Sequence, residues 1–272
     1  MAIPSGRPPW QPGHVITLVH VSDPHIDGSP RNTERVERVV RHISGLPGPI
    51  DAVLVTGDIA DHATVEEYEL ARELLRFPYP TIICPGNHDS RPEFRKVMLA
   101  ESESKSEGTG VNGSGSAVNQ VLSLDGVTVA LCDSSIPGRH DGRLDDETLR
   151  WLTEVLDSCG TPVIVGMHHQ PVPVGVPYVD DIRLNEPERL EQVLRAHPRV
   201  VGLLVGHVHT PAATMFAGLP VYVAPGVAST TLLPQETTAW PPVDTGLPPG
   251  FALHVLSGDG RLTSHARVVH LP

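Results

Sequence analysis

The sequence predicts an α/β protein, and three observations lead there. Short apolar runs alternate with amphipathic, helix-length segments over the first three quarters of the chain, as strands covered by helices do. Five of the apolar runs end abruptly in carboxylate, carboxamide or imidazole side chains. The last quarter is strand-like and carries no helical period.

In chain order, Val15 to Val21 reads as a strand and Glu34 to Ile43 as a helix, with Val36, Val39, Val40 and Ile43 on one stripe. Ala52 to Val55 is a second strand. Thr64 opens a helix, because Glu67 completes a Thr-x-x-Glu capping box. Thr81 to Cys84 is a third strand. Residues 101–117 are Ser, Gly and Glu with almost nothing apolar, so a mobile surface loop is expected. Val118 to Leu124 and Val127 to Cys132 flank Asp125-Gly126, a two-residue hairpin signal. Asp146 to Leu156 and Glu188 to Ala196 read as helices; Pro162 to Met167 and Val200 to Val205 read as buried strands. Ala213 to Phe216, Val221 to Val223, Phe251 to Leu256 and Ser264 to Val269 close the series. Residues 234–250 form a Pro-rich loop long enough to suggest a functional role.

The 272 residues are 39% hydrophobic and 4% aromatic, so the core is built from Val, Leu, Ile and Ala. No linker divides residues 1–272 into self-sufficient halves, so one domain is expected, preceded by an extended arm over residues 1–13. A net charge of -12 gives no general attraction for nucleic acid or anionic membranes. The Pro-rich N-terminus lacks an apolar signal core, and no apolar run reaches spanning length. Cys84, Cys132 and Cys159 form no disulfide framework and point to a reducing compartment. The expectation is a soluble, cytoplasmic protein.

The chemistry sits at the five run ends: Asp23-Pro24-His25, Gly57-Asp58, Gly86-Asn87-His88-Asp89, His168-His169 and Gly206-His207-Val208-His209. Ligands of open α/β sheets bind beyond the carboxyl ends of the strands, so these groups are expected to converge on one rim. Each piece alone is common. Asp-x-His and Gly-Asp occur in ordinary turns, and His-x-His says only that His207 and His209 point the same way along an extended chain. Asn87 is more telling, since Asn ends an apolar strand poorly unless its carbonyl oxygen has a partner. The five together form a borderline-hard donor set without cysteine, suited to manganese, iron or zinc. A bridging carboxylate would let two divalent ions sit about 3.5–4 Å apart.

In this order the motifs resemble the calcineurin-like metallophosphoesterase superfamily, over Asp23 to His209. More narrowly, Asp133-Ser134-Ser135-Ile136-Pro137-Gly138, Gly142, Trp151 and the His168 to Pro173 stretch are similar to class III cyclic-nucleotide phosphodiesterases. The resemblance implies a four-layer αββα sandwich with two mixed β-sheets. It implies that Asp23, His25 and His209 hold one metal, that Asn87, His168 and His207 hold the other, and that Asp58 bridges. His88 would contact the phosphate and assist the leaving group, with Asn87 and His140 also touching substrate. His169 competes with His168, and the family pattern favours His168. Gln170 and Pro24 depart from the pattern without removing a ligand. No Tyr follows Asp58, against a purple-acid-phosphatase type of site, and the Arg of Ser/Thr protein phosphatases is missing. A homodimer is a further implication.

The implied activity is hydrolysis of a phosphodiester, foremost a 3',5'-cyclic nucleotide (cAMP or cGMP), by attack of a metal-bridging hydroxide. Two divalent ions and two carboxylates leave the inner site near about +2, which attracts a diester despite the acidic chain. A glycerophosphodiester or other small diester is the alternative substrate. A nuclease is disfavoured by the acidic balance, and a non-catalytic scaffold of this fold by the complete ligand set.

Overall fold

The computed structural model describes residues 15–99, 109–111 and 117–270. In order these form β1 (Ile16–Val21), α1 (Pro30–Ser44), β2 (Ala52–Thr56), α2 (Val65–Leu74), β3 (Thr81–Cys84) and α3 (Arg91–Phe94), which runs into a π-helical turn at Arg95–Leu99. There follow β4 (Thr109–Val111), β5 (Gln120–Leu124), β6 (Val127–Cys132), α4 (Asp146–Ser158), β7 (Val163–Met167), α5 (Pro177–Asp180), α6 (Pro187–Ala196) and β8 (Val200–Val205). The remainder is β9 (Ala212–Phe216), β10 (Leu219–Val223), β11 (Thr230–Thr231), β12 (Val243–Asp244), β13 (Gly250–Leu256) and β14 (Leu262–Val268).

Two mixed sheets carry the structure. The first has the order β14-β13-β1-β2-β3, the second β4-β5-β6-β7-β8-β10-β9. Parallel strands β1, β2 and β3 lie in one, and parallel β6, β7, β8 and β10 in the other. Along β2 the alternation of side chains explains the uninterrupted apolar run. Ala52 and Leu54 point into the core between the sheets, where Leu131, Ile164 and Leu204 meet them. Val53 and Val55 point outward, under Val36, Val39 and Ile43 of α1 and Tyr68 and Ala71 of α2. A strand buried on both faces needs apolar residues at every position. The outer face of the second sheet is covered in the same way by Leu149, Leu152 and Leu156 of α4 and Leu190 and Leu194 of α6. The result is the four-layer αββα sandwich.

Several boundaries differ from expectation for local reasons. α1 begins at Pro30, four residues early, because Ser29 caps it by accepting from Asn32 N–H and Pro30 is pre-set for a first turn. β5 starts at Gln120, because Asn119 leaves the ladder to accept the Asp133 N–H through its side chain. Thr109–Val111, expected inside a mobile loop, pairs antiparallel with β5 and edges the second sheet. The rest of that loop up to residue 116, and the arm of residues 1–13, lie outside the described residues. The Pro-rich loop is partly ordered by β12, which pairs with β11.

The capping box on α2 is complete: Thr64 Oγ1 accepts from Glu67 N–H, and Glu67 Oε2 accepts from Thr64 N–H. Removing it in Thr64→Ala is expected to cost about 1 kcal/mol, lowering the melting temperature by roughly 2 °C. Calorimetry on the purified variant reads this, and no shift would mean that α2 is held by packing alone.

Candidate metal centre

The carboxyl ends of β1, β2 and β3 from one sheet meet those of β7 and β8 from the other. The convergence expected from the sequence occurs, but at the seam between two sheets rather than along the rim of one. Asp23 and His25 follow β1, Asp58 follows β2, Asn87 and His88 follow β3, His168 and His169 follow β7, and His207 and His209 follow β8.

Five of these residues adopt left-handed backbone: Asp23 (φ 55°), His25 (41°), Asp58 (49°), His207 (68°) and His209 (58°). Such conformations are uncommon outside glycine and collect at functional sites, where the surrounding structure imposes them. They also correct one expectation. His207 and His209 do not alternate along an extended strand; they enter two separate groups of donor atoms.

The first group is Asp23, His25, Asp58 and His209, with donor atoms all within 4.8 Å of one another. His25 Nε2 lies 3.1 Å from His209 Nε2 and 3.4 Å from Asp58 Oδ2, and His209 Nε2 lies 3.3 Å from Asp23 Oδ1. The second group centres on His168 Nε2, which is 3.1 Å from Asn87 Oδ1, 3.2 Å from His207 Nδ1 and 3.4 Å from Asp58 Oδ2. Asp58 Oδ2 thus serves both groups, while Oδ1 accepts the His88 backbone N–H at 2.9 Å.

The far nitrogens decide what the near ones present. His168 Nδ1–H donates to the Thr56 carbonyl, His25 Nδ1 bonds Asp61 Oδ1, and His209 Nδ1 bonds Ser229 Oγ. A carbonyl can only accept, so His168 Nε2 turns a lone pair toward the oxygens of Asn87 and Asp58. Acceptors facing acceptors in a buried site call for a cation. The electrostatics agree. Burial opposes ionisation of Asp58, yet His168 and His25 hold its carboxyl well below the ordinary range. Burial likewise opposes charge on His168, and Asp58 overcomes it, pushing the imidazole up to about 9. A potential negative enough to hold that proton favours a divalent ion in its place. These residues can hold two such ions, with oxygen and imidazole donors of the expected type.

His169 is placed differently. Its Nδ1 accepts from Ser134 Oγ and its Nε2–H donates to the His140 carbonyl, while burial and neighbouring His168 push it down to about 3. Both nitrogens are engaged within the protein, although a donor atom of His169 lies within 4.8 Å of those of His168 and His207. His88 Nδ1–H donates to the Asp61 carbonyl, so Nε2 is the nitrogen left for the cavity that His88 lines. His140 lines the same cavity, its ring centroid 6.2 Å from that of His88.

Sequence reasoning missed Asp61 and Ser229, which orient His25 and His209. It quoted Asp89 without a role; its carboxylate accepts from Gly86, Ile59 and Ala60 N–H and from the Tyr68 hydroxyl. Two glycines are set by contact. A Cβ on Gly86 would lie 2.3 Å from Asp58 Oδ1, and one on Gly57 (φ +84°) 2.5 Å from His168 Nδ1.

Comparison with known proteins agrees with this geometry. The family described as calcineurin-like phosphoesterase matches residues 16–211. A probable cyclic nucleotide phosphodiesterase of Rhodococcus erythropolis is 31% identical over 80% of this chain and 72% of its own length. A cAMP/cGMP dual specificity phosphodiesterase of Mycobacterium tuberculosis is 30% identical over 81% and 69%, and a glycerophosphodiester phosphodiesterase of Enterobacter lignolyticus 28% over 93% and 91%. Among solved structures, a dimetal phosphatase from Danio rerio shares the fold at a TM-score of 0.69 and 17% identity, over 94% of this chain and 99% of that one. The chain belongs to the calcineurin-like phosphoesterase family, an enzyme family with a dinuclear metal centre.

Proposed function

We propose that this protein hydrolyses small phosphodiesters, foremost 3',5'-cyclic nucleotides, at a two-metal centre held by Asp23, His25, Asp58, Asn87, His168, His207 and His209. The observation that carries the reading is Asp58 Oδ2, 3.4 Å from both His25 Nε2 and His168 Nε2. One carboxylate oxygen shared by two donor groups is what a pair of closely spaced ions requires. Manganese, or an iron–manganese pair, suits the donors best, and zinc is also compatible.

When bound, the two ions lower the pKa of coordinated water and neutralise the phosphate oxygens. The chain's own residues do the rest. Asn87, itself one of the donors, and His88 next to it stand where a diester phosphate would bind. His88 is held by its Nδ1–H on the Asp61 carbonyl, so Nε2 is presented to the cavity, placed to give a proton to the departing alkoxide. His140 stands across the same cavity and meets the substrate beyond the scissile phosphate. The cyclic-nucleotide relatives favour that substrate class over the glycerophosphodiester one, to which a less identical relative, matched over more of both chains, belongs.

Chelation is expected to abolish diester cleavage, and elemental analysis to find roughly two divalent ions per chain. Asp58→Ala should lose more metal and activity than any other single ligand variant; full activity in it would refute a shared carboxylate. His88→Ala is expected to keep its metal while cleaving cyclic nucleotides about 10²–10⁴-fold more slowly. The deficit should shrink on a nitrophenyl diester, whose leaving group needs little protonation. Loss of metal in that variant would instead make His88 a ligand.

A further inference from the structure

The cavity over the metal centre, about 610 Å³, does not end at the donor groups. It runs outward from His25, Asp58 and Asn87 to Tyr178, Ile182, Trp240 and Val243. Tyr178 and Trp240 meet edge to face, with ring centroids 5.1 Å apart. Trp240 is 72% exposed, unusual for the residue type with the largest apolar surface, and Val243 and Leu247 of the same Pro-rich loop are exposed as well.

The loop that carries Trp240 is held in place. Arg31 donates to the Ala228 and Thr245 carbonyls. Arg35 donates to the Val227 and Leu247 carbonyls, and β12 pairs with β11. A wall so fixed loses little freedom on binding, which is what makes a contact count toward affinity.

We propose that Tyr178 and Trp240 form a subsite for a planar heteroaromatic group, the purine base of a nucleotide whose phosphate sits at the metal centre. The proposal rests on the diesterase reading above and sharpens it, since the polyol of a glycerophosphodiester has no flat face to stack. Stacking of a base on an aromatic side chain is non-specific for sequence but strong enough to select nucleotides from other diesters.

The test is calorimetric binding of 5'-AMP and ribose 5-phosphate to the manganese-loaded protein, beside turnover of bis(p-nitrophenyl) phosphate. 5'-AMP is expected to bind about 5- to 100-fold more tightly than ribose 5-phosphate. In Trp240→Ala that advantage should disappear, and in Trp240→Phe most of it should return. Equal affinities in the wild type, or an undiminished advantage in Trp240→Ala, would overturn the subsite. So would an unchanged advantage accompanied by a fall in sedimenting mass of Trp240→Ala, which would give the surface to a second copy of the chain. Failure to turn over the nitrophenyl diester while the 5'-AMP advantage depends on Trp240 would count against the diesterase reading alone.

Discussion

Two buried carboxylates, Asp23 and Asp58, stand among imidazoles whose lone pairs turn toward them, and the positive charge this arrangement calls for governs the rest of the structure. Buried carboxylates need compensation, and three histidines have their far nitrogens already engaged by Thr56, Asp61 and Ser229. The geometry is imposed on a reluctant backbone. Left-handed conformations at Asp23, His25, Asp58, His207 and His209 cost of order 1–3 kcal/mol each. They persist because each of these residues lies just beyond the end of a strand buried on both faces, and because the backbones pack closely. Gly86 lies against Asp58 and Gly57 against His168, with no room for a side chain at either.

Much of this was legible in the sequence, for identifiable reasons. Strands such as β2 read clearly because burial on both faces leaves no polar position. The residues proposed as ligands stand out because carboxylates and imidazoles are out of place at the ends of such runs. The hidden parts depend on partners far away in the chain. Ser229 bonds a histidine 20 residues earlier, and Asp61 serves His25 from 36 residues on, so neither has a local signature. β4 escaped because its strand character comes from pairing with β5 rather than from apolar residues. The two sheets were legible only through family resemblance. Apolar runs say that a strand is buried, and leave open which sheet it joins.

Asp61 also changes the electrostatic reading. Two divalent ions against Asp23 and Asp58 alone leave the centre near about +2. Asp61 is half-buried beside it, and the hydrogen bond from His25 holds its carboxyl below the ordinary range. With a third carboxylate the inner charge falls to about +1. With two ions bound as proposed, such a centre would still attract a singly charged diester, and would bind a doubly charged monoester product less tightly than a more positive site.

The position of His88 follows from the same network rather than from its own loop. Its backbone N–H donates to Asp58 Oδ1, so the shared carboxylate fixes the main chain from which the imidazole projects. Asp89, the next residue, accepts from Ile59 and Ala60 after β2 and from Gly86 after β3, and Tyr68 of α2 adds a fourth donor. Burial and nearby Asp58 push Asp89 up to about 6, while three backbone donors pull the other way. The loops after β2 and β3 are thereby one unit. The carboxylate that joins the two donor groups and the His88 imidazole that lines the cavity cannot shift independently. This is the economy of Gly-Asn-His-Asp: the first residue clears space for Asp58, the second sets its oxygen beside His168, the third lines the cavity, and the fourth locks the other three to the neighbouring strand.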